Sequence, residues 1–325
     1  MALRAKTIAA RLLAAMMLAC ALALVISCTG TSSMPSDANA DEMMEGAEGA
    51  EGDAFAEDAA DRQEDSRDAP DRKTLRKLLG KETAMLLLER ASEDDDAAWI
   101  AAHPNAYKKY GSELQAKLLK LAADDPLAIP FVRHYPERAY ADGPDYSAPA
   151  MDDVVKVEGI PKTRIPHLYQ WDQRWGYAQF SADGFGLAGC GPTSLAMVYQ
   201  GLTGKKDITP YDMGRLAEDQ GYVIYGQGST TGLFTEMPWQ LGLSCWGVPV
   251  DAASIVDTLH AGNPIIANVG EGYFTQVGHF FVLAGVTKDG KVILNDPYSA
   301  ERSSKLWDPE FIASESKALF AYAAV

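Results

Sequence analysis

Positive charge is scarce in this chain: 29 Lys and Arg stand against 45 Asp and Glu, leaving −16. No basic stripe gathers anywhere along it, which argues against nucleic acid as a partner. Cysteine is scarcer still, with four in 325 residues, two of them before residue 29. Cys190 and Cys245 are then the whole thiol complement of the remainder. They could pair as one stabilising disulfide or stay free, but they cannot build a disulfide scaffold. Long apolar runs are missing too. The longest, Leu12 to Ile26, is short for a membrane span and right for the apolar core of a secretory signal.

What is present divides the chain into four. In residues 1–28, Arg4, Lys6 and Arg11 precede the apolar run, and Val25-Ile26-Ser27-Cys28 resembles a bacterial lipobox. The expectation is export, with Cys28 lipidated and the protein anchored to the outer face of the cytoplasmic membrane. Cys20 could be read the same way but leaves too short an apolar core, and an uncleaved signal anchor is the other reading. Residues 29–71 form an acidic tether. Between Asp37 and Asp71, fourteen Asp and Glu face only Arg62 and Arg67. Like-charge repulsion and little apolar content keep such a segment extended, so its acidity says little about substrate.

Residues 72–150 read as a helical region ending in a linker from Asp142 to Pro149. Leu75, Leu78, Leu79, then Met85, Leu86, Leu88, then Leu114, Leu118, Leu119, Leu121 recur at three-to-four spacing. A faint echo about thirty residues apart suggests paired helical hairpins. His103 and His134 each lie close before a proline and lack ligand-spaced acidic or cysteine partners, so turn or cap roles are expected and no metal.

Residues 151–325 read as α+β: helices over 192–200 (closed by Gly201), 210–218 (capped by Thr209) and 252–260, then antiparallel strands over 264–269, 279–286 and 291–295. In Gly189-Cys190-Gly191-Pro192 a thiol stands at a helix N-terminus, where the macrodipole favours thiolate. The flanking glycines leave room beside the sulfur for a substrate backbone. A packed thiol at a tight turn is the plainer alternative. A nucleophilic cysteine needs a base, and His279 at the head of an apolar strand is a better candidate than His167 or His260. Asp296, one hairpin further on, could fix the imidazole tautomer or simply cap a turn before Pro297.

Four ordered motifs, Tyr169-Gln170-Trp171-Asp172-Gln173-Arg174-Trp175, Gly189 to Ser194, Gly278-His279-Phe280 and Asn295-Asp296-Pro297, together resemble the papain-like cysteine peptidases of the bacteriocin-leader (double-glycine) type, in their stand-alone secreted branch. The resemblance covers about Ile165 to Tyr322. It implies a papain-like fold of helices packed on an antiparallel sheet, with no cofactor. It also implies that Cys190 attacks, His279 serves as base and acid, Asp296 orients it, and Gln170 donates to the oxyanion. Nothing in the chain resembles the exporter and ATPase domains that accompany leader peptidases. The substrate expected is a peptide, protein or cell-wall stem peptide. A cell-wall amidase or endopeptidase, and a surface binding module with a silent fold, stay open.

Overall fold

The computed structural model describes residues 68–151 and 160–325. The leader with Cys20 and Cys28, and nearly all of the acidic stretch, lie outside the described residues.

The helical region consists of α1 (Arg72–Glu93), α2 (Asp95–Ala102), α3 (Ser112–Asp124) and α4 (Ile129–Arg138), joined by short 3-10 turns at 104–110 and 126–128. Asp71 and Asp94 cap α1 and α2 by accepting from the N–H of Thr74 and Ala97. α1 is broken at Gly80, whose φ of +77° no other residue adopts without strain. His103 stands at the C-cap of α2, stacked on Trp99 and bonded to its carbonyl, as a cap role requires. His134 instead lies inside α4, because Pro136 is carried within that helix and makes no turn.

Next comes α5 (Cys190–Thr203), then α6 (Pro210–Asp219) with a capping box between Thr209 and Asp212. A small hairpin, β1 (Val223–Ile224) and β2 (Gly228–Ser229), follows. The main sheet holds β3 (Leu243–Val248), β4 (Ile265–Val269), β5 (His279–Val286), β6 (Val292–Asn295), β7 (Leu306–Trp307) and β8 (Ser316–Ala324), with α7 (Ala252–His260) and α8 (Pro309–Glu315) beside it. Its order is β3-β8-β4-β5-β6-β7, antiparallel throughout.

Strand periodicity divides the core between the two faces of this sheet. Ile266, Val282 and Tyr322 pack with Leu195, Ala196 and Val198 of α5. Ile265, Phe281, Leu283 and Ala321, one residue out of phase, pack with Ile255 and Leu259 of α7 and Ile312 of α8. The architecture is therefore α+β, with α5 buried against one face.

Both boundaries of the cysteine helix differ from the sequence reading. α5 begins at Cys190, two residues before Pro192, because Gly189 already accepts the first helical bond from Thr193 N–H. It ends at Thr203, with Gly204 in the left-handed region at φ +71°. Gly201 closes nothing. It lies inside the helix where Ile165 crosses, and a Cβ there would meet the Ile165 Cα at 2.8 Å.

Candidate active site

β5 begins at His279 and β6 ends at Asn295, and their antiparallel register sets Val282 opposite Asn295. The next residue, Asp296, thus arrives beside the head of β5. Its Oδ1 lies 2.7 Å from His279 Nε2, the imidazole 7% exposed and the carboxylate fully buried. Ser194, one turn into α5, donates to the Phe280 carbonyl and ties the cysteine helix to the same end of β5. Cys190, half-buried and free, lies close enough to the His279 ring for its sulfur to act on the imidazole. Burial acts to lower the His279 pKa, but the charge and hydrogen bond of Asp296, joined by the Cys190 sulfur, outweigh it and push the imidazole up to about 9. Burial likewise opposes ionisation of Asp296. His279 and Arg302 overcome it, and with the Tyr298 N–H they hold the carboxyl well below the usual carboxylate range.

Gln170 is 1% exposed and pinned twice. Its N–H donates to the Pro297 carbonyl at 2.8 Å, one residue past Asp296. Its side-chain Nε2 donates at 3.0 Å to the Gly186 carbonyl, in the short helical turn Phe185–Ala188 that leads into Cys190. Nε2 keeps a second hydrogen, and the Gln170 Oε1 is buried without a partner. Gln173, the other glutamine of this loop, is engaged elsewhere, accepting from Tyr177 Oη at 3.3 Å. The loop itself is held by Asp172, whose buried carboxylate accepts from the Arg174 N–H, Nε and Nη2.

One expectation needs correction, and two alternatives left open by the sequence close. The room beside Cys190 is filled by protein: a Cβ on Gly189 would strike Phe185, and one on Gly191 would strike Ser229 of β2. Glycine is needed there for packing against the turn and hairpin. No disulfide joins the two thiols, since Cys190 and Cys245 are both free. Cys245 is only half-buried, with its Sγ donating to the Thr235 carbonyl, and burial raises its pKa. His167 is no rival base. Its Nε2 donates to the Asp296 backbone carbonyl at 2.8 Å, supporting the acid loop from behind.

Arg302 went unnoticed in the sequence. Its Nη1 meets Asp296 Oδ2 at 2.8 Å from six residues downstream, so Asp296 is bracketed by imidazole and guanidinium. Only the spacing Asp296-x5-Arg302 hinted at it, and such a spacing is commonplace. Among the described residues no cluster of three or more His, Cys, Asp or Glu could hold a metal ion. The assembled groups, a thiol at a helix start, an imidazole beside it and a buried carboxylate behind that, can together attack a carbonyl carbon and shuttle one proton.

Residues 162–323 match the Peptidase_C39 like family. No curated protein matches the chain. Among solved structures, the chain is similar to the peptidase domain of Streptococcus ComA, a bi-functional ABC transporter involved in a quorum-sensing pathway. That match has 24% identity and a TM-score of 0.34, over 43% of this chain and 93% of that one. It is also similar to a Bacillus anthracis chain described as a C39-like peptidase, at 14% identity and a TM-score of 0.29, over 42% of this chain and 90% of that one.

Proposed function

Since residues 162–323 belong to the C39-like peptidases, with helices packed on an antiparallel sheet, we propose that the protein is a working cysteine peptidase whose machinery is Cys190, His279, Asp296 and Gln170. The observation that supports this best is the continuous line from Cys190 through His279 to buried Asp296. The Cys190 sulfur adds to the scissile carbonyl, and the electron pair of the C=O bond moves to oxygen, where the free Gln170 N–H and the amide of Cys190 receive it. His279 then gives its proton to the leaving amine as the C–N bond breaks, leaving a thioester. Water attacks that ester with His279 now taking a proton, and the acid and free thiol are released. The substrate is a peptide, protein or cell-wall stem peptide. The lipobox-like Cys28 supports the further reading that the enzyme works outside the cytoplasmic membrane, tethered to it. Among the described residues no helix is long and apolar enough to cross a membrane.

A thiol-directed peptide probe tests the reading. Wild type should be labelled at Cys190 and not at Cys245, and His279→Ala should slow labelling at neutral pH by at least tenfold. Equal labelling of both cysteines in wild type and variant would refute it.

A further inference from the structure

Asp125 sits between α3 and α4, outside the peptidase segment, yet it is 2% exposed and, among the described residues, meets no basic group as its partner. Its Oδ1 accepts from the Leu127 N–H at 3.1 Å within its own turn. Its Oδ2 accepts at 2.6 Å from the N–H of Ala300. Ala300 opens the short helical turn Ala300–Ser303, and an N–H at that position has no partner within the turn. From this turn Arg302 reaches back to Asp296 Oδ2, and Ser303 Oγ accepts the Asp296 N–H at 2.9 Å. Asp125 therefore holds the turn that holds the acid.

The same helical region braces the other half of the site. Phe131 of α4 lies so close under Gly186, whose carbonyl takes the Gln170 amide, that a Cβ on Gly186 would stand 2.5 Å from its ring. Tyr135 Oη donates to the Asp183 carbonyl, and Tyr177 Oη to that of Phe131. Tyr169, Trp171, Tyr177 and Ala300 of the peptidase segment share one core with the helices. Burying an unpaired carboxylate is unfavourable, and here desolvation, with Asp296 and Glu301 nearby, pushes Asp125 up to about 6. A group that filled space alone would do better apolar.

We infer that the helical region is a working part of the peptidase and that Asp125 is a positioning residue, setting the Ala300–Ser303 turn so that Asp296 stays on His279. The inference rests on the reading of Cys190 and His279 given under Proposed function.

The test follows alkylation of Cys190 by iodoacetamide against pH in the full chain, for wild type, His279→Ala, Asp125→Ala, Asp125→Asn and Asp94→Ala. Asp94 caps α2 and touches nothing near Asp296, so its variant reports simple loosening of the helices. Wild type should alkylate rapidly at neutral pH, with a separate step near 9 as His279 loses its proton, whereas His279→Ala should lose the neutral-pH reactivity and keep only the rise of an ordinary thiol. Asp125→Ala should move that step down by about one unit as Asp296 slackens its hold, and Asp125→Asn, which keeps one acceptor, by less. Asp94→Ala should leave it in place at a comparable loss of melting temperature. If Asp125→Ala does not fold, Asp125→Asn decides alone. An unmoved step in the folded Asp125 variants, or an equal movement in Asp94→Ala, overturns the inference while leaving the catalytic reading intact. Absence of any His279-dependent step in wild type overturns both.

Discussion

His279 gives its Nε2 to Asp296, so the ring nitrogen left for Cys190 is Nδ1. The tautomer is thereby decided by the acid: a neutral ring bonded to Asp296 carries its proton on Nε2 and offers a bare Nδ1 to the thiol. The charged ring holds protons on both.

With the imidazole raised to about 9, peptide hydrolysis should fall as pH climbs through that value, because the protonated ring is the acid that frees the leaving amine. In Asp296→Asn the fall should begin at least one unit lower while measurable turnover persists, since an amide oxygen can still accept from Nε2. Turnover profiles of the two proteins that coincide on the basic side would count against an orienting role for Asp296.

The pair also makes stability depend on pH. Asp296 is held below its ordinary 3.8, so its contribution is present above about 4 and lost as pH falls through its folded value. His279 is raised from 6.5 to about 9, so its contribution is whole below about 6.5 and disappears as pH rises through 9. Between about 4 and 6.5 both are intact. Urea unfolding of wild type against His279→Gln should show a gap shrinking by on the order of 3 kcal/mol from pH 6 to pH 10. A gap flat across that range would show that the pair confers no such linkage.

Arg302→Ala should leave Asp296 buried with one charge partner fewer. Breaking a buried ion pair from one side costs roughly 3–5 kcal/mol when both groups are enclosed. Arg302 is one-fifth exposed, so a loss of about 1–3 kcal/mol is expected. Arg302→Lys should recover part of it. Thermal melting of the three proteins ranks them.

Gln170→Ala should reduce kcat by about a hundredfold or more with the fold intact, the cost of losing one oxyanion donor. Gln170→Glu should be at least as harmful, because it sets a negative charge against a developing one. Gln173→Ala should be mild, as its carbonyl only accepts from Tyr177. The reverse ranking at equal melting temperature would transfer the role to Gln173.

Gly201→Ala, which would cost only left-handed strain if Gly201 ended the helix, should instead destabilise by about 1–3 kcal/mol, because the new methyl meets the Ile165 backbone and cannot push it aside cheaply. Gly204→Ala should cost less, about 1 kcal/mol, through left-handed strain alone. Equal effects would contradict the helix boundary described above.

What was legible in the sequence follows from local signals. The 279–286 strand and the 252–260 helix coincide with their predicted limits, since each is an apolar run closed by glycine-bearing turns. β8 was invisible: Ser316–Ala324, with four alanines, has no strand-like composition and is extended because β3 and β4 hydrogen-bond it on both sides. The cysteine, histidine and acid could be proposed from their local settings, and the glutamine only through the family resemblance. Arg302, His167 and Asp125 could not. Their places are set by bonds to backbone and side chains up to 175 residues away, which no local pattern carries.

The position of β8 also bears on when the sheet can close. It lies between β3 and β4, both of which precede it in the chain, so during synthesis these two emerge as separate open edges. The histidine strand can pair with β4 and β6 early, yet nothing joins β3 to that ladder until 316–324 arrives. A nascent chain thus carries its nucleophile and base long before it has a closed sheet to set them in. Closure of the sheet therefore waits on residues 316–324.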